Sequence, residues 1–142
     1  MTRTIVDTGP LVAYFNARDN WHDWVVDQMS MLAPPLLTCE PVITEACFLI
    51  HRAGGKPAGL VRTLHQGALA IGLDLHKEAA TVEALLTRYA DTPMSLADAC
   101  LVRLAEHHAD CRVLTLDSDF QHYRRNRRQR IPLLYPESRG IS

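Results

Sequence analysis

The chain has 142 residues, 47% hydrophobic and 22% charged, with a formal net charge of −1. That size and balance suit one globular domain over residues 1–142, able to bury roughly 70% of the unfolded chain's surface. They exclude disordered and collagen-like chains and argue against a whole-surface nucleic-acid binder, and no apolar run approaches the ~20 residues of a membrane span.

The N-terminal stretch MTRTIVDTGPLVAYF is broken by Asp7 and offers no small-residue cleavage site, so it does not read as a signal peptide and a cytoplasmic location is expected. Thr4-Ile5-Val6 predicts a first strand ending at Asp7. Gly9-Pro10 opens a helix to about Asn16, proline costing nothing at a first helical position. Trp21, Trp24, Val25, Gln28, Met29 and Leu32 recur at helical spacing, predicting a helix over 20–32 that Pro34-Pro35 stops. Leu36 to Cys39 reads as a second strand. Pro41 opens a strongly apolar helix ended by Gly54-Gly55. A helix over 57–70, a strand over 71–75 and an amphipathic helix over 78–89 follow. Helix 95–109, a strand over 112–116 and a last strand over 131–134 complete the order.

Apolar strands alternating with helices imply an α/β fold, a three-layer α/β/α sandwich around a mainly parallel sheet of four to five strands. Ligands of such sheets bind outside the carboxyl ends of the strands. Asp7 follows strand one, Asp117 follows strand four, Glu45 lies one turn into the helix after strand two, and Asp98 lies in the first turn of the helix before strand four. All four are expected at one rim. Two carboxylates ~4 Å apart repel by about 4 kcal/mol at an effective dielectric of 20, so they take up protons or a cation neutralises them. Oxygen donors select Mg²⁺ or Mn²⁺ over zinc, and two such ions support in-line phosphoryl displacement.

Each acid has a simpler reading. Asp7 suits a turn or cap, Asp98 stands three residues after Ser95 as in a capping box, and Asp117 suits the cap of a short helix holding Phe120. Glu45 interrupts the apolar run VITEACFLI, where a charge is rarely buried without a partner. The joint arrangement is what argues for a site.

IVDTGPLVAYF, LLTCEPVITEACFLI and SLADACLVRLAEHHADCRVLTLDSDF, in this order and spacing, resemble the PIN-domain family, particularly its VapC-like ribonuclease toxins. The resemblance covers nearly the whole chain. It implies that Asp7, Glu45, Asp98 and Asp117 are catalytic and hold Mg²⁺ or Mn²⁺, with Thr115 as a supporting hydroxyl and Asp119 as a secondary ligand. It further implies endoribonuclease action leaving 5′-phosphate and 3′-hydroxyl ends, a cognate antitoxin of a type II toxin–antitoxin pair, and a homodimer built on the early helices. Two departures stand out: Gly9 replaces the serine many relatives carry, and Asp119 competes with Asp117 for the last ligand position.

An acidic pocket needs positive charge nearby to hold RNA. Arg124, Arg125, Arg127, Arg128 and Arg130 are expected to supply it from a loop just past the Asp117 rim, since Arg suits phosphate; a merely solvated loop is the plainer reading. Cys39, Cys47, Cys100 and Cys111 lack zinc-type spacing and read as reduced thiols. The seven histidines form no coherent ligand set. Trp21, Trp24 and Met29 read as packing. Among rivals, a Toprim-like site wants Glu after strand one, where Asp7 stands. A haloacid-dehalogenase-type site wants a second Asp where Gly9 stands. A non-catalytic PIN-fold module and a PIN nuclease outside any toxin–antitoxin pair remain alternatives.

Overall fold

The computed structural model describes residues 1–136. Strands β1 (Arg3–Val6), β2 (Leu36–Thr38), β3 (Leu69–Ile71), β4 (Cys111–Leu114) and β7 (Leu133–Leu134) form one sheet in the order β3-β2-β1-β4-β7. Every pairing in it is parallel, with Ile5 beside Leu37 on one side and Val113 on the other. The intervening helices are α1 (Thr8–Tyr14), α2 (His22–Ser30), α3 (Glu40–Arg52), α4 (Ala58–Gln66), α5 (Leu75–Arg88) and α6 (Leu96–Glu106). α1 packs on α2 and α3, α5 packs on α6, and α6 lies against β1 and β4. The result is an α/β sandwich, as the alternating pattern predicts.

Parallel strands covered by helices bury both faces, which is why β1 and β4 read as continuous apolar runs. Ile5, Val6, Val113 and Leu114 are fully buried, together with Leu101 and Leu104 of α6. Trp24 and Met29 pack against this core, as expected of the α2 stripe. The four cysteines are free thiols, three of them buried. No helix among the described residues is long and apolar enough to cross a membrane.

Several boundaries differ from expectation. The helix expected to reach residue 70 ends at Gln66, because Gly67 adopts a left-handed φ of 86° and sends its N–H back to the Leu64 carbonyl. The third strand therefore sits at Leu69–Ile71 rather than over 71–75. Asp74 then caps α5, its side chain accepting from the Lys77 N–H, so that helix begins three residues earlier than its apolar pattern suggests. α6 stops at Glu106, short of residue 109: the His107 and His108 N–H groups turn to the Leu104 and Ala105 carbonyls three residues back, and Arg125 donates to the carbonyl oxygens of Ala105, His108 and Ala109 around that end.

The 124–130 stretch is also not the expected loop. β5 (Arg124–Arg125) and β6 (Gln129–Arg130) form an antiparallel hairpin, turned by left-handed Asn126 and Arg127. Its turn side lies away from the rim. Arg125 Nη1 reaches Cys111 Sγ at 3.3 Å, at the opening of β4, and the Asn126 N–H binds Glu106 at the end of α6.

Candidate active site

The order β3-β2-β1-β4-β7 has its reversal between β1 and β4: the chain leaves β1 towards β2 and β3, then returns to add β4 on the other flank. Helices diverge at such a point and leave a crevice beyond the carboxyl ends. Asp7 closes β1 there, its own N–H continuing the ladder to the Leu114 carbonyl at 3.0 Å. Thr115 follows β4 directly.

Asp7 is 5% exposed and is the N-cap of α1. Its Oδ1 accepts the Thr8 N–H at 2.7 Å, and its Oδ2 accepts the Thr115 hydroxyl at 2.8 Å. Thr115, fully buried, also accepts the Asp117 N–H at 2.9 Å, so one hydroxyl ties both acidic loops together. Asp117 caps a short 3-10 helix, Ser118–Gln121, through a bond from the Asp119 N–H at 2.9 Å. Asp98, 7% exposed, forms the reciprocal capping box with Ser95. Its Oδ2 takes both the Ser95 N–H and the Tyr123 hydroxyl, each at 3.1 Å. The cap readings of Asp7, Asp98 and Asp117 therefore all hold, and they are also the means of assembly: three helix starts aim positive backbone ends at one hollow.

That hollow, about 670 Å³, is lined by Asp7, Glu45, Asp98 and Asp117. It also takes in Thr8, Ser95 and two residues the sequence reading left out of the site, Asp19 and Trp21. Asp19 sits on an irregular loop after α1, where its Oδ1 accepts the Trp21 N–H at 2.8 Å. The alternation of strands and helices gives no hint that this loop folds back. Tyr123 was hidden for a like reason, a core ring whose hydroxyl alone reaches an acid. Asp119 is not among the lining residues and acts through its backbone. None of the five hairpin arginines lines the hollow, and Arg125 is engaged at the end of α6. No histidine lines it either.

Among the described residues none of these carboxylates is in an ion pair. Burial without a cation, reinforced by Asp98 and Asp117 and opposed by the bonds from Thr115 and Thr8, pushes Asp7 from an ordinary 3.8 to about 7. Burial likewise raises Asp98. The Tyr123 hydroxyl is driven upward by burial and by Asp98, which keeps it a donor. Thr8, 5% exposed, lines the hollow, and its hydroxyl has no hydrogen-bond partner among the described residues. No three His, Cys, Asp or Glu side chains among the described residues are grouped closely enough to hold a metal as they stand. The all-oxygen donor set, its unbalanced charge and the unpartnered hydroxyl nonetheless fit a hard divalent cation better than any other ion.

The model of the PIN domain matches residues 4–126. The chain belongs to the PIN domain family. Ribonuclease VapC26 of Mycobacterium tuberculosis is 31% identical to this PIN domain over 115 residues, covering 80% of this chain and 85% of that relative.

Proposed function

We propose that this PIN domain is a divalent-cation-dependent endoribonuclease and the toxin of a type II toxin–antitoxin pair. One observation carries the reading: Asp7, Glu45, Asp98 and Asp117, far apart in sequence, line one hollow at the sheet's reversal point with no cationic side chain to balance them. The likeness to a ribonuclease supports it. The antitoxin and a homodimer belong to the same proposal and rest on family resemblance.

Those four side chains would hold Mg²⁺ or Mn²⁺, with Asp119 outside the set. When bound, the cation supplies Lewis-acid polarisation of a phosphodiester and neutralises charge developing on it. The chain's own groups do the rest. Thr115 fixes Asp7 through Oδ2, while Ser95 and Tyr123 fix Asp98 through Oδ2 and leave Oδ1 without a protein donor. Glu45, exposed at the mouth, accepts the proton of the attacking water. The P–O3′ bond breaks, the leaving 3′ oxygen takes a proton from solvent and departs as a hydroxyl, and the phosphate stays on the 5′ side.

The test is cleavage of single-stranded RNA by the purified chain. Chelation should abolish it and Mn²⁺ restore it, while Asp7→Asn and Asp98→Asn each lower it at least ~100-fold, about 3 kcal/mol of barrier. Cleavage undiminished in either variant, or indifferent to chelator, overturns the proposal.

A further inference from the structure

The hollow that holds the acids has no positive side chain, so RNA must be gripped elsewhere. The 3-10 helix Ser118–Gln121 is a shared wall. Asp117 and Ser118 line the acidic hollow at its start, while Gln121 and His122 line a second cleft of about 720 Å³ at its end. That cleft also takes in Arg124, Arg130 and Tyr135. A 3-10 helix rises about 2 Å per residue, so the two lie roughly 8 Å apart, the length of two to three stacked nucleotides at ~3.4 Å each.

The hairpin makes this cleft unusual. Arg124 and Arg130 are direct cross-strand partners in the β5–β6 ladder. Like charges placed opposite each other destabilise a sheet pair. A two-residue ladder has little to offset that, and among the described residues neither arginine has a carboxylate partner. Arg124 is held in place by donating to the Gln121 and Tyr123 carbonyls, through Nη1 alone. Arg130 is exposed and, among the described residues, forms no side-chain hydrogen bond. Two guanidinium groups held together without a counter-charge are a site waiting for an anion, and the half-buried Tyr135 ring beside them offers a stacking face for a base.

We propose that the cleft between the 3-10 helix and β7, through Arg124, Arg130 and His122, binds the phosphates of single-stranded RNA two to three nucleotides from the scissile bond. This rests on the nuclease reading. Arg125 and Arg127 take no part: the first ends α6, and the second lies in a separate hollow with Arg88 and Arg103.

The test compares Arg130→Glu with Arg127→Glu, a charge reversal at the turn of the same hairpin, in the full chain. Cleavage of a twelve-nucleotide single-stranded RNA is measured as kcat and KM. RNA binding and its salt dependence are measured in an Asp7→Asn background. Arg130→Glu should raise KM about tenfold with kcat unchanged and lower the salt slope by about 0.7, one phosphate contact on a single strand, while Arg127→Glu moves KM less than twofold. Equal effects of the two variants, or an unchanged KM in Arg130→Glu, overturn the cleft while leaving the nuclease intact. If the chain binds RNA through Arg130 but never cuts it, the nuclease reading fails and the cleft survives. Protection of the cleft by an acidic protein but not by RNA overturns it.

Discussion

Two clusters of ionisable side chains sit on α6, one at each end, and they are built on opposite plans. At the far end Glu78 of α5 takes Arg103 Nε at 3.1 Å and His107 Nε2 at 2.7 Å, and Arg103 also binds Glu106 at 3.2 Å. The Arg103 guanidinium, then His107, hold the Glu78 carboxyl below its usual range. At the near end Asp98, Asp7 and Asp117 meet with hydroxyls and amides but no cation, and Asp7 and Asp98 are held above theirs. Charge kept for structure is paired within the chain. Charge left unpaired at the reversal point of the sheet is what the proposed cation would neutralise.

The contrast can be broken or sharpened by titration. Asp7 binds more protons folded than unfolded between about pH 4 and 7, so its contribution is full below 3.8 and is lost as pH rises through about 7. In chelator, that shift corresponds to up to about 4 kcal/mol, at 1.36 kcal/mol per unit. The melting temperature of Asp7→Asn relative to the unsubstituted chain should therefore climb from pH 4 to pH 8. Parallel profiles would show that Asp7 is not strained by burial. Added Mn²⁺ should stabilise the chain at pH 8 and lose that effect in Asp7→Asn.

Thr115→Val removes the donor to Asp7 and the acceptor of the Asp117 N–H at once. Leaving buried polar groups unpaired costs about 1–3 kcal/mol, and cleavage should fall ~10-fold or more; Thr115→Ser should restore most of both. A Val variant with full cleavage would deny the hydroxyl its linking role. Glu78→Gln probes the other cluster: about 1 kcal/mol or less for a partly exposed pair, read as a drop of ~3 °C, with cleavage unchanged. Because Glu78 is held low, its contribution is present at neutral pH and fades as pH falls below the carboxylate range, opposite to Asp7. The smallest effect is expected of Gly9→Ser. An added Cβ meets Leu116 Cβ at 3.4 Å, so the residue fits, and its hydroxyl at the hollow should change cleavage by less than about fivefold.

The sheet and the acid set were legible because both follow from local rules. Strand ends read as apolar runs stopped by Asp7 or Asp117, and parallel topology sends those ends to one side. What stayed hidden depended on long-range closure. Asp19 arrives on a loop with no periodicity, and Tyr123 looks like any core aromatic. The arginine run carried a genuine charge signal but no information on direction. Only the fold shows that Arg125 turns inward onto α6 while Arg130, opposite Arg124, faces out. Gly67 and Asp74 were readable stop and start signs, outweighed by the apolar pattern around them.

Three of the four rim acids also begin helices, and this changes what inactivation means. Replacing Asp98 with alanine would fray α6 as well as strip an acid from the hollow, whereas asparagine keeps an acceptor for the Ser95 N–H in the capping box. A lineage that gave up nucleolysis would thus still be selected to retain acids, or their amides, at these sites. Drift away from activity should leave its first marks on Glu45, which holds no helix end.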